Sequence, residues 1–271
     1  MTALVQPTFV DRLCAGYARR GWRGFITLRR LLGRDTIRFR TTYGALFDLR
    51  PEDYIDRVVL RECFYESEVF EALRRHFAPD AVLWDIGANF GLQSVSAALA
   101  EPAMQVHSFE PSPLILARLQ AHAQLNRTRI HCRPVALGEI DGTATLHINA
   151  SGNPGMTTLT PSGGTRFDAT QTVPVARAES LIKSGQVPAP TLIKLDVEGG
   201  EATVLAGFGD QLRQPGLRAV VFETRADLLA DPSHCPAARL LQAAGFDFAP
   251  LSRHEDSAHL LGNFLATRPP A

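Results

Sequence analysis

Residues 81–113, AVLWDIGANFGLQSVSAALAEPAMQVHSFEPSP, decide how this chain folds. The apolar run at 81–84 is short and ends in a polar turn, the pattern of a buried strand. The turn DIGANFG follows, and LQSVSAALA after it repeats its apolar residues at helical spacing. A second apolar run, 106–109, ends at Glu110. Strand, tight turn, helix, strand and acid make the opening half of a doubly wound nucleotide-binding sheet. Gly87 and Gly91 let the backbone bend and approach a ligand. Glu110, about twenty residues beyond the turn, is placed to accept hydrogen bonds from the two hydroxyls of a ribose.

The glycines are spaced Gly-x-x-x-Gly, not Gly-x-Gly-x-x-Gly, and Asp85 ends the first strand, facing the crevice on this reading. A carboxylate about 4 Å from a pyrophosphate is repelled by roughly 4 kcal/mol at the effective dielectric of a protein surface. The same carboxylate attracts a sulfonium or an ammonium. S-adenosylmethionine carries both, together with a ribose, so a methyl donor fits better than a dinucleotide.

The chain has 271 residues, zero formal net charge and ordinary apolar and charged fractions. One domain with an N-terminal extension suits that length better than two full domains. The boundaries expected are 1–61 for the extension and 62–271 for the main domain. No apolar run reaches the eighteen residues of a membrane span, and the N-terminus makes a poor signal peptide. Cys14, Cys63, Cys132 and Cys235 stand singly, without metal or redox spacing, as in a reducing cytoplasm. Residues 1–50 hold ten arginines against Asp11, Asp35 and Asp48. Such a basic arm suits a solvated face docking on the acidic body, or an anionic partner.

Residues 7–32 read as one or two amphipathic helices, and 36–39 with 45–49 as a hairpin. Two helices follow, 51–60 and 63–77, with Tyr65 and Glu66 opening the second beside the crevice where they can touch the cofactor. After Pro111 and Pro113 comes a helix, then a third parallel strand over 130–137, ending where an adenine ring can lie against Ala136. Residues 143–148 and 173–176 are strand-like. The Gly-, Ser-, Thr- and Pro-rich stretch between them reads as a long structureless loop, a substrate lid at about 149–171. The fourth strand, 192–197, carries Lys194 and Asp196 with Glu198 just beyond, and a short helix closes at Gly207 as its cap. The fifth strand ends in Glu223, and 246–248 and 263–267 supply two more. Alternation of this kind argues for α/β architecture with a mainly parallel sheet.

Asp85, Glu110, Asp196, Glu198 and Glu223 all fall at carboxyl ends of strands, where doubly wound sheets bind ligands. A lysine in an apolar strand needs a charge partner, and Glu223 is the candidate for Lys194.

LIKLDVEGGEATVLAGF, with VLWDIGANFG, VVFET and NFLAT, resembles the FkbM family of S-adenosylmethionine-dependent methyltransferases over roughly residues 62–267. The Tyr65–Glu66 pair and Asn153 and Gly155 of the lid fit as well. The resemblance implies a Rossmann-like class I fold: a seven-stranded, mainly parallel sheet with the last strand antiparallel and helices on both faces. It also implies methyl transfer to a hydroxyl of a sugar, polyketide or other small molecule. By position, Glu66, Asp85, Gly87, Ala88, Asn89, Gly91, Glu110, Pro111 and Ala136 take the cofactor-binding roles. Asp196 and Glu198, with Lys194, take the catalytic ones. Either carboxylate can orient and deprotonate the acceptor hydroxyl. An alternative uses Asp196, Glu198 and Glu223 as ligands of Mg²⁺. Further alternatives are a dinucleotide-dependent oxidoreductase and a cofactor-binding scaffold without turnover. A nucleic-acid partner is not expected, because a carboxylate-rich site suits a phosphate backbone poorly. His107, His131, His254 and His259 fall in no recognisable pattern and read as core or surface residues.

Overall fold

In a computed structural model of the chain, described for residues 35–149, 153–161, 167–225, 235–253 and 261–268, the elements follow the predicted alternation. The helices expected over 7–32 lie outside the described residues. A hairpin comes first, β1 (Ile37–Arg40) and β2 (Leu46–Leu49), then α1 (Tyr54–Glu62) and α2 (Ser67–Arg74). The nucleotide-binding half runs β3 (Val82–Ile86), α3 (Leu92–Ala100), β4 (Gln105–Phe109), α4 (Pro113–Asn126) and β5 (Ile130–Arg133). Then come β6 (Ala136–Leu137), β7 (Gly142–Asn149), β8 (Asn153–Thr158), β9 (Ala169–Ala176) and α5 (Ala178–Lys183). The last part holds β10 (Leu192–Leu195), α6 (Glu201–Gly207), β11 (Ala219–Arg225), α7 (Pro236–Ala243), β12 (Asp247–Arg253) and β13 (Leu261–Thr267).

Seven strands form one sheet in the order β12-β13-β11-β10-β3-β4-β5, with β13 antiparallel to both its neighbours and β3, β4, β5, β10 and β11 mutually parallel. This is the expected doubly wound fold, with its last strand antiparallel. Alternation along β3 sends Val82, Trp84 and Ile86 into one core, with Phe109, Phe208 and Phe222, and Leu83 into the other, with Phe47, Phe70, Phe90 and Val95. The hairpin and α1 belong to that second core. Asn126 exchanges two 2.7 Å hydrogen bonds with the backbone of Leu46, and buried Arg118 pairs with Asp53 and Asp56.

Four local expectations are corrected. The strand expected over 130–137 is two strands in two sheets. Pro134 separates them: it has no N–H for the ladder, and beyond it Ala136 and Leu137 pair with Val175 and Ala176. The stretch at 149–171 is not structureless throughout. β8 pairs antiparallel with β7, His147 opposite Thr158 and Ile148 opposite Thr157, in a four-stranded sheet ordered β6-β9-β7-β8. Its β-branched threonines favour that pairing despite the turn-rich composition. The second helix starts at Ser67, because Cys63 and Glu66 both take left-handed backbone conformations. Gly207 is not a left-handed cap. It is small because α6 packs on the 138 backbone, where a Cβ would lie 2.0 Å from the Gly138 carbonyl oxygen.

Candidate active site

The carboxyl ends of β3, β4 and β10, the turn at Tyr65–Glu66 and the β7–β8 hairpin enclose a cavity of about 440 Å³. That volume is within the usual range for a cofactor-sized ligand. At the cavity wall Gly87, φ +77°, approaches the Asp196 backbone so closely that a Cβ would sit 1.8 Å from the Asp196 carbonyl oxygen. The glycine lets the β3 turn and the β10 turn touch.

Glu110 and Ala136 mark one end of the cavity. Each Glu110 oxygen accepts a backbone N–H, from Asn89 at 3.1 Å and Ser112 at 2.9 Å, which fixes the carboxylate's direction. Burial pushes it up to about 7, against those two hydrogen bonds. Pro111, Leu137 and Gly138 line the same end.

The other end gathers Glu66, Asp196, Glu198 and Glu223 around one cavity wall. Desolvation comes first and Asp196 second in raising Glu66 to about 7, Glu198 to about 7 and Glu223 to about 9. Glu198 itself stands at the rim, exposed to solvent. Thr158, on β8, donates to the Glu198 carbonyl at 2.9 Å, so the hairpin is latched to the β10 turn. Glu201 accepts from the amides of Val197 and Gly199 at 3.1 and 3.2 Å and holds that turn in shape. Glu66, Asn89 and Glu198 all line the cavity with positive φ. Such conformations cost about 1–3 kcal/mol each and collect at functional sites.

Two expectations about charge are corrected. Asp85 does not face the crevice. It is fully buried under the turn, accepting from Ser94, with Lys194 Nζ at 3.9 Å. Alternation turns it to the Leu83 face, toward α3, so the acidity of the cavity comes from the other carboxylates. Lys194 does not pair with Glu223. Register places it beside Asp85, and its Nζ donates to Asp196 Oδ2 at 3.0 Å and to the Gly87 carbonyl at 3.2 Å. Gly91, the left-handed cap of α3, and Ala88 shape the turn without lining the cavity. His107 and His131 stack on one another at 4.5 Å and do not line it either, and His254 and His259 lie outside the described residues. Among the described residues no group of three His, Cys, Asp or Glu side chains is disposed to hold a metal ion, Asp196, Glu198 and Glu223 included.

Sequence reasoning missed Thr158 and Asn263. Asn263 is buried and its amide donates to Glu66 Oε1 at 3.1 Å. An Asn within the otherwise apolar LGNFLAT was the available signal, since a buried amide needs partners.

The raised carboxylates make stability depend on pH. Between their ordinary value of 4.5 and the raised values near 7, and near 9 for Glu223, the folded chain holds protons that the unfolded chain has released. Stability therefore falls as pH rises through that window. His107 and His122, lowered to about 4 mainly by burial, act oppositely below their ordinary 6.5. Because Glu66, Glu110, Glu198 and Glu223 outnumber the two histidines, melting curves are expected to show maximal stability near pH 4.5 and a decline from there to pH 8.5. A flat profile over that range would remove the carboxylate cluster as its source.

The Methyltransferase FkbM domain family model matches residues 85–248. The hexuronic acid methyltransferase AglP of Haloferax volcanii is 27% identical over 219 residues, covering 79% of this chain and 83% of that protein. The 31-O-demethyl-FK506 methyltransferase FkbM of Streptomyces tacrolimicus is 32% identical over 171 residues, covering 54% and 65%. The 2-O-methyltransferase NoeI of Sinorhizobium fredii is 29% identical over 147 residues, covering 49% and 60%.

Proposed function

Because the chain belongs to the FkbM family of S-adenosylmethionine-dependent methyltransferases, we propose that it methylates a hydroxyl of a sugar, polyketide or similar small molecule. One observation carries the reading. A single cavity has a fixed carboxylate at one end, suited to a ribose, and several carboxylates at the other, suited to cationic groups. Family membership sets aside the dinucleotide alternative, and among the described residues no helix is long and apolar enough to cross a membrane.

The residues fit S-adenosylmethionine. Glu110 would take the ribose, Ala136 and Leu137 the adenine, and the Gly87–Asn89 turn and Glu66 the methionine end. When bound, the cofactor supplies a methyl group already activated on a sulfonium. The chain's task is then alignment, which can contribute about 7–11 kcal/mol, and proton removal from the acceptor. Lys194 holds Asp196 through Oδ2, which leaves Oδ1 to accept the hydroxyl proton. The β7–β8 hairpin, latched at Thr158, forms one wall of the cavity.

The test is mass spectrometry of neutral sugars, uronic acids and polyketide alcohols incubated with the protein and a deuteromethyl-labelled donor. A labelled O-methyl product is expected. Absence of any labelled product, with no binding heat from S-adenosylhomocysteine, would overturn the reading.

A further inference from the structure

Glu66 occupies an unusual position for a helix N-cap. Its side chain makes no capping hydrogen bond to α2, and its backbone is left-handed, φ +54° and ψ +53°. The carboxylate is thereby released from the helix and directed to the cavity wall. What holds it there comes from 197 residues away: Asn263 Nδ2 donates to Oε1 at 3.1 Å. Asn263 is 4% exposed, on β13 directly opposite Glu223, and β13 lies beyond the segment the family model matches.

The chemistry of this partner matters. A lysine or arginine at 263 would hold Glu66 equally well but would also cancel its charge. An amide fixes the carboxylate and leaves its negative charge available to a cationic ligand. Glu66 and Glu110 serve different ends of the cavity. The charges that weigh most on Glu66 are Asp196 and Lys194, whereas Glu110 is tied to the Asn89 and Ser112 amides. Glu110 would take the ribose of a bound methionine conjugate, and Glu66 would take its ammonium group.

We infer that Asn263 is a positioning residue that presents Glu66 to the ammonium group of the cofactor's amino-acid end. The inference rests on the cofactor reading above. It makes elements on both sides of the matched segment, α2 and β13, part of one cofactor subsite.

The test is calorimetric binding of two ligands that differ at that end. S-adenosylhomocysteine has the amino-acid moiety and a neutral sulfur. Methylthioadenosine has the same nucleoside and thioether without the amino acid. In Asn263→Leu, close to isosteric, S-adenosylhomocysteine is expected to bind roughly tenfold to a hundredfold more weakly, as for loss of a hydrogen bond to a charged group. Methylthioadenosine is expected to bind as it does to the parent protein. Glu66→Gln should show the same selective loss, and the double variant should be no weaker than Glu66→Gln alone. Equal losses for both ligands, or additive losses in the double variant, would overturn the assignment. Should Asn263→Leu fail to fold, Glu66→Gln decides through the same two ligands. A parent protein that binds S-adenosylhomocysteine without this selectivity in the variants refutes the positioning role alone. A parent protein that binds neither ligand refutes the cofactor reading and this inference with it.

Discussion

Asp196→Asn is expected to lower kcat about 10²- to 10⁴-fold, with the affinity for S-adenosylhomocysteine nearly unchanged. The substitution keeps the shape of the side chain and can still accept from Lys194 Nζ, now 3.0 Å from Asp196 Oδ2. It removes the ability to take a proton. A hydroxyl acceptor needs that ability because its oxygen is a poor nucleophile until the proton begins to leave. Only the transition state then suffers, so kcat and kcat/KM should fall together while donor binding holds. The measurement is steady-state methyl transfer with a hydroxyl acceptor found by the labelling experiment, beside calorimetry. Unchanged kcat would move the proton acceptor elsewhere, with Glu198 next in place at the rim.

Lys194→Met is expected to cost about 3–5 kcal/mol of folding stability, the usual penalty for breaking a buried ion pair by removing one partner. Lys194 is 6% exposed and Asp85 is fully buried. Among the described residues the Asp85 Oδ1 atom has no hydrogen-bond partner, and the lysine at 3.9 Å is its charge compensation. Burial raises the Asp85 carboxyl, and Lys194 works against that rise. The same ammonium also ties the Gly87 carbonyl to Asp196, so its loss loosens the contact between the β3 and β10 turns. Denaturant titration should show the loss, and the double variant Asp85→Asn/Lys194→Met should recover part of it. A single-variant cost below about 1 kcal/mol, the scale of a surface pair, would refute the buried-pair account.

The order of strands and helices was legible because each depends on a local pattern. The apolar run, glycine turn and helical spacing of 81–100 need no distant contact to be read. The acids at strand ends were legible for the same reason: a strand that stops at an acid delivers it to the carboxyl edge. Glu110, Asp196 and Glu198 were found in this way and line the cavity; Glu223 lines it too, although β11 runs past it to Arg225 and does not end there as expected.

Where sequence reasoning went astray, it had to choose a face or a neighbour. The composition of 149–171 concealed β8, whose pairing with β7 is a tertiary matter. Period-two alternation says that Lys194 and Asp196 share a face, but it does not name the strand beside them. Register supplies that name, and it sets Lys194 against Asp85 rather than Glu223. Asp85 likewise looked like a crevice residue because it ends its strand. Which side of that strand α3 covers is decided by packing, and Ser94 comes down on the carboxylate.

By itself the sequence determined the doubly wound sheet, the family and the strand ends that carry acids, since these follow from residue type and spacing over short stretches. Only the tertiary structure decided which acids meet the cavity, which one is buried beneath it, and that Asn263 reaches Glu66. Those outcomes depend on register and packing between segments far apart in the chain, and no local pattern encodes which distant side chain will satisfy a buried charge.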